Sequence, residues 1–193
     1  MTEKEKAEKG LLYDANYDND LVSERRKAQD ICTAYNRIYP TDMKAREEAV
    51  RQLIGHVGTN PVIEQPFFCD YGCNIAVGDN FYTNHNCVIL DGGKVTFGDN
   101  VFIAPNCCFS TAGHPIDYVQ RNRGLEYAYP ITVGNNVWFG AGVTVLPGVT
   151  IGDNVVIGAG SLVNRNIPSN VVAAGNPCRV IHEITEQDTK KYI

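Results

Sequence analysis

The sequence has no surplus of positive charge: 17 Lys and Arg face 22 Asp and Glu, a formal net charge of −5. A chain without a basic field is not built to gather nucleic acid or anionic membrane. No apolar run approaches the ~20 residues that span a bilayer. No apolar stretch follows the charged first residues either, so no secretory leader is expected and a cytoplasmic location is. The seven cysteines (Cys32, Cys69, Cys73, Cys87, Cys107, Cys108, Cys178) contain no Cys-x-x-Cys pair. Cys69 and Cys73 are four apart with no second pair and no matching His, so neither a zinc site nor a disulfide framework is expected. Free thiols packed as small hydrophobes in a reducing compartment are.

What remains is an ordinary globular composition, with 44% hydrophobic and 20% charged residues in a chain of 193. That is enough for one sizeable core. Two patterns divide the chain near residue 58. From Asp20 onward Leu21, Arg25, Ala28, Cys32 and Tyr35 recur at helical steps, and Val50, Leu53, Ile54 and Val57 form a second stripe. Pro40 separates the two, Thr41 or Asp42 is placed to cap the second helix, and Gly55 and Gly58 mark its end. Residues 1–58 are therefore expected to form a helical cap.

Beyond it the helical period disappears. A six-residue phrase occurs at 75–80 (IAVGDN), 95–100 (VTFGDN), 131–136 (ITVGNN) and 149–154 (VTIGDN). The starts are 20, 36 and 18 residues apart, and a finer step of six links Val133, Phe139, Val145, Ile151, Ile157 and Val163. Such self-similarity marks a repeat architecture. Short strands alternating with Gly-Asx-Asn corners can close a three-sided coil whose sixth residues stack along its axis. A parallel β-helix over 59–180 is expected, followed by a short tail or helix over 181–193. The 20-residue spacing is explained by a turn at 91–94 (DGGK), and the 36-residue spacing counts as twice 18. A polar stretch at about 115–130, with Arg121 and Arg123, breaks the register directly after His114 and reads as a loop leaving the coil.

The repeat together with Gly113-His114-Pro115-Ile116, the block 131–138 (ITVGNNVW), the tail 171–177 (VVAAGNP) and the 13–16 region (YDAN) resembles the maltose/galactoside O-acetyltransferases, a branch of the hexapeptide-repeat acyltransferases. The resemblance implies a left-handed coil, against the usual crossover hand. It also implies acetyl-CoA as co-substrate, a sugar hydroxyl as acceptor, no required metal, and a homotrimer with sites between subunits.

Acetyl transfer from a thioester needs a base for the attacking hydroxyl, and a neutral imidazole suits that task near pH 7. Of four histidines only His114 stands at the mouth of the excursion, and the family's base matches it. The resemblance adds Glu126 as the group that orients His114 and steadies its charged form, and Asn84 as an aid in holding the acceptor. It places a backbone N–H near Ala141 at the oxyanion. Asp14, Asp70 and Tyr82 match positions that contact the sugar, and the pair Asp70 and Glu126 leans toward glucosyl acceptors. For the coenzyme the matching positions are Trp138, Ala141, Ala159, Asn164 and Arg165, with Arg179 and His182 near the nucleotide end. Asn164 and His182 depart from the family pattern. Competing readings are an acyltransferase acting on an antibiotic, serine or nucleotide sugar, and a coil scaffold without activity. A carbonic-anhydrase-like metal enzyme fails because its histidine pattern meets Val119.

Overall fold

The six-residue step folds into a prism because each short strand presents alternate residues to one interior. In the computed structural model, which describes residues 1–190, Ile131 and Val133 of the strand Ile131–Val133 are buried and Thr132 between them is exposed. The same in–out pattern recurs through three parallel sheets. Face one stacks His56–Val57, Ile75–Val77, Val95–Phe97, Ile131–Val133 and Thr150–Ile151. Face two stacks Val62–Ile63, Tyr82–Thr83, Phe102–Ile103, Val137–Phe139, Val155–Ile157 and Val171–Ala174. Face three stacks Phe67–Cys69, Cys87–Leu90, Cys108–Ser110, Thr144–Val145 and Leu162–Val163. The chain visits the faces in that order, so the fold is the expected hexapeptide-repeat β-helix. Along its axis Phe81, Phe97, Phe109 and Phe139 stack with ring centroids 5.2, 5.0 and 5.1 Å apart.

The Gly-Asx-Asn corners between faces one and two explain their own composition. The side-chain oxygen of each Asx accepts the backbone N–H of the coil below. Asp79 takes Thr59 at 2.7 Å, Asp99 takes Asp79 at 2.8 Å, Asn135 takes Asp99 at 2.8 Å and Asp153 takes Asn135 at 2.6 Å. The following Asn carries the left-handed turn, as at Asn100 (φ 55°) and Asn154 (φ 53°). Glycine precedes the pair because the oxygen fills its side-chain space: a Cβ on Gly134 would overlap Asp153 Oδ1 and the Gly152 backbone.

The edge from face three back to face one behaves differently. Between the last inward residue of face three and the first of face one lie steps of six (Cys69 to Ile75, Ile89 to Val95), 22 (Phe109 to Ile131) and four (Val145 to Val149). All the irregular length of the coil is collected on this one edge. Val95 pairs directly with Ile131, so the 36-residue interval is one coil plus the expected excursion. Within the excursion, expected as loop, the chain forms helix α4 (Tyr118–Asn122) and the strand Leu125–Ala128. Numbering in chain order, the N-terminal helices are α1 (Glu3–Glu8), α2 (Asn19–Tyr35) and α3 (Met43–Leu53).

Helices α2 and α3 close one end of the prism. Ala28, Cys32, Tyr35, Val50, Leu53 and Ile54 join Ile63, Phe67 and Cys69 in one core. Asp42, not Thr41, caps α3, accepting from Ala45 N at 3.1 Å. Helix α3 ends at Leu53, so Val57 and His56 belong to the first coil and the β-helix starts before the expected boundary at 58. Helix α1 carries no apolar stripe, only a Thr2–Glu5 capping box, and was not legible. At the other end the tail turns back as Arg179–Glu183, antiparallel to Val171–Ala174, before α5 (Glu186–Thr189). Residues 191–193 of the expected tail lie outside the described residues. Among the described residues no helix is long and apolar enough to cross a membrane. The seven cysteines are free, and five of them are buried.

Because the corner glycine has no spare volume, Gly134→Ala is expected to lower unfolding stability by about 1–3 kcal/mol, measured by urea denaturation.

Candidate functional site

A three-stranded sheet outside the prism builds the site. Its middle strand, Leu125–Ala128, pairs on one side with Ala112–Gly113, which leaves the coil, and on the other with Tyr13–Asp14 from the N-terminal cap. The register sets Tyr13 opposite Glu126 and Gly113 opposite Tyr127. His114, one residue beyond that strand, therefore arrives beside Glu126 and the 14–16 segment although they are distant in sequence.

His114 lies on the surface, with its side chain 50% exposed, while Glu126 is 17% exposed. Nδ1 of the ring is 3.1 Å from the Leu125 carbonyl. A carbonyl only accepts, so Nδ1 carries the proton and Nε2 keeps its lone pair in the neutral ring. Nε2 stands 3.9 Å from Glu126 Oε1. That is too long for a hydrogen bond but close enough to stabilise an imidazolium. The Leu125 carbonyl is the partner of Nδ1, and Glu126 faces the other ring nitrogen. Glu126 Oε1 is itself held by Asn16 Nδ2 at 3.1 Å, and the same amide donates to the Gly124 carbonyl at 3.0 Å. Nothing local to Asn16 in the sequence signals a partner over a hundred residues away.

Two more carboxylates close the cluster. Asp14 Oδ1 accepts from Asn16 N at 3.2 Å and Tyr17 N at 2.9 Å. Asp70 sits on the same edge as His114, at the end of the strand Phe67–Cys69. Burial raises its pKa, the charge of Arg25 opposes the shift, and Glu126 adds to it. Arg25, which the sequence offered only as one position of a helical stripe, is anchored by Nη1 to the Ala15 carbonyl at 3.1 Å.

The other expected residues stand elsewhere. Asn84 lies on the edge between faces two and three, where its Oδ1 accepts from His85 N at 2.7 Å. Ala141 and Ala159 stack above it on that same edge, both exposed, and Gly160 N donates to the Ala141 carbonyl at 2.8 Å. No backbone carbonyl among the described residues accepts from the Ala141 or Ala159 N–H, and a side chain at neighbouring Gly142 or Gly160 would meet open space. Tyr82 and Trp138 point outward from face two, and both register on Phe102. The structure does not bring Asn84, Tyr82 or Trp138 to His114. A face of about four residues, roughly 13 Å at strand rise, separates the two edges. Asn164 and Arg165 are exposed at the His114 edge, one face away from Ala159. Arg179 and His182 lie on the exposed tail strand, with Nη1 of Arg179 donating to the Cys178 carbonyl at 2.7 Å and Nδ1 of His182 to the Glu183 carbonyl at 2.9 Å.

Beneath Asp70 is a buried carboxyl that sequence reading treated as part of a turn. Asp91 Oδ1 accepts from Asp70 N at 3.0 Å and Tyr71 N at 2.8 Å, and Oδ2 has no partner. Burial pushes its pKa up to about 6, against the pull of the Tyr71 N–H and with Asp70 adding to the rise. A carboxyl with a raised native pKa binds protons that the unfolded chain has already lost, so stability falls as pH rises from about 4 to 6. Asp91→Asn is accordingly expected to match the wild type in urea near pH 4 and to exceed it near pH 7 by about 2 kcal/mol.

Comparison with known proteins identifies the family. A family model for the maltose acetyltransferase hexapeptide capping motif matches residues 6–58, and one for the bacterial transferase hexapeptide (six repeats) matches 130–165. A putative acetyltransferase of Saccharomyces cerevisiae is 57% identical over 93% of this chain and 92% of its own. The crystal structure of a maltose O-acetyltransferase from Clostridium difficile 630 superposes with a TM-score of 0.94, 52% identity and coverage of 96% and 99%. A galactoside acetyltransferase in complex with coenzyme A superposes with a TM-score of 0.96, 44% identity and coverage of 100% and 96%. With the cap, the coil and the excursion all present, the chain belongs to the maltose/galactoside O-acetyltransferase family of hexapeptide-repeat acyltransferases and is an acetyltransferase.

Proposed function

We propose that the protein moves the acetyl group of acetyl-CoA to a sugar hydroxyl of the maltose, glucose or galactoside type by direct transfer, with His114 as general base. The observation that carries the reading is the His114 ring, tied through Nδ1 to the Leu125 carbonyl and open at Nε2 among carboxylates. Nε2 takes the proton as the hydroxyl oxygen attacks the thioester carbon, and Glu126 stabilises the imidazolium. The same proton then goes to the departing thiolate. Asp14 and Asp70 accept hydroxyls of the ring, which is the recognition a pyranose offers. The oxyanion is met by the Ala141 N–H, and the pantetheine arm runs along the smooth edge of Ala141 and Ala159 beside Trp138. Arg165, Arg179 and His182 supply positive charge for the nucleotide phosphates, with Asn164 offering a neutral contact.

The two edges need each other. One chain holds the base and acceptor carboxylates at one edge and the oxyanion donor and pantetheine track of Ala141 and Ala159 at another, so a complete site takes one edge from each of two copies. The outer surfaces suit such an assembly. Face one is lined outward by Thr96, Thr132 and Thr150. Faces two and three expose Phe102 (47%), Trp138 (54%) and Phe68 (48%). Two apolar faces meeting at the coenzyme edge bury each other in a closed C3 trimer, while the threonine face stays in water. A reducing cytoplasm fits the free thiols.

Release of free thiol from acetyl-CoA with maltose, glucose or a β-galactoside tests the acceptor class; release with none of these sugars would contradict it. His114→Ala is expected to cost at least ~10²-fold in turnover, and unchanged turnover would remove His114 from the mechanism. Assembly is tested by mixing His114→Ala with Asn84→Ala chains. Each alone is expected to be nearly inactive, Asn84 being the group that helps hold the acceptor, and randomly mixed trimers should regain about a quarter of the sites if each site pairs two subunits.

A further inference from the structure

The irregular edge that carries His114 also carries a stacked series of side chains that bind backbone, one coil to the next. Thr111, immediately before the strand Ala112–Gly113 that delivers His114, donates Oγ1 to the Leu90 carbonyl at 2.7 Å and accepts from Gly93 N at 2.8 Å. It thereby clamps both ends of the turn that contains Asp91. Asp91 in turn accepts from Asp70 N and Tyr71 N, and its own carbonyl is held by Asn74 Nδ2 at 2.7 Å. Asp91 and Thr111 are both fully buried. Neither touches solvent, and neither side chain lies among the groups that would meet substrate.

A buried carboxylic acid at this corner is not a requirement of the coil. The same crossing in a later coil, over 146–149, is made by Leu-Pro-Gly-Val with no carboxyl. Where Asp91 stands, it spends one oxygen on two adjacent N–H groups and leaves the other without a partner. Burying a polar atom in that state is costly, and its retention beside Asp70 points to the geometry it imposes. Two parallel bonds to successive amides fix the direction in which the chain leaves the strand Phe67–Cys69, and hence where the Asp70 carboxylate points.

We propose that Asp91 is the positioning residue of the acceptor site: through the Asp70 and Tyr71 amides it aims the Asp70 carboxylate, while the Thr111 clamp holds the turn from which Asp91 reaches them. The proposal rests on the reading of Asp70 as an acceptor contact. It assigns to Asp91 control of acceptor affinity and registration, with no part in coenzyme binding.

The test is steady-state kinetics of the full-length enzyme with maltose, or whichever of the tested sugars it acetylates fastest. Asp91→Ala leaves both amides unpaired and is expected to raise acceptor KM at least ~10-fold with acetyl-CoA KM unchanged. Asp91→Asn keeps an accepting oxygen and should bring acceptor KM back to within about twofold of wild type. If Asp91→Ala is recovered unfolded, Asp91→Ser, whose oxygen is too short to bridge both amides, takes its place with the same expectation. In the double variant with Asp70→Ala, loss of Asp91 should add nothing further to acceptor KM, because the carboxylate it aims is already gone. A parallel rise in acetyl-CoA KM, an unchanged acceptor KM, or additive effects in the double variant would each overturn the inference. Asp70→Ala distinguishes the two layers: if it leaves acceptor KM unchanged, the reading of Asp70 fails and takes this inference with it. If it raises KM while Asp91→Ala does not, the inference alone fails.

Discussion

The constraint on which the molecule depends is a hydrogen bond from coil to coil at a single edge. At the corner between faces one and two each coil must present an Asx or Ser oxygen to the backbone N–H of the coil below, and a glycine must stand where that oxygen needs room. This leaves no freedom of length or composition there. The opposite situation holds at the edge from face three to face one, where chain length varies from coil to coil without breaking the stack. The proposed acceptor site lies where the coil tolerates insertion. Asp70, Asp91, Thr111 and His114 all lie on that edge, and the cap reaches it through the strand Tyr13–Asp14.

The chemistry of the site follows from what surrounds one imidazole. A backbone carbonyl assigns the proton on Nδ1 at little cost and cannot itself ionise, so the ring is presented with one basic nitrogen. In the proposed reaction the carboxylate 3.9 Å from that nitrogen stabilises the charged ring without competing for the lone pair beforehand. Asn16 keeps the carboxylate in place by tying it to the turn at Gly124. The acceptor side is thus organised by contacts within one chain. The proposed oxyanion donor and pantetheine track lie a face away, so the proposed site needs association of copies.

How much of this the sequence disclosed depends on whether the signal is periodic. The coil, its three faces and the inward positions such as Phe139 and Ile151 are written in the step of six. His114 stands out because the register breaks after it. The interval from Val95 to Ile131 is legible as one coil plus an excursion because the polar stretch after His114 breaks the apolar register, and strand pairing agrees. Helix α1 has no apolar face to announce it, and the strand Leu125–Ala128 exists through pairing with Ala112–Gly113 and the distant Tyr13–Asp14. The Leu125 carbonyl, Asn16, Arg25 and Asp91 were illegible for the same reason. Each acts through a contact made by tertiary structure, and a backbone carbonyl has no letter in the sequence.

The central claim is that the acceptor hydroxyl attacks the thioester directly, with both substrates held at once beside His114. Initial velocities measured over a grid of acetyl-CoA and acceptor concentrations test it most directly. Direct transfer predicts intersecting double-reciprocal lines and no acetylated protein when acetyl-CoA is present alone. Parallel lines, together with an acetyl group on one of the cysteines, would contradict it.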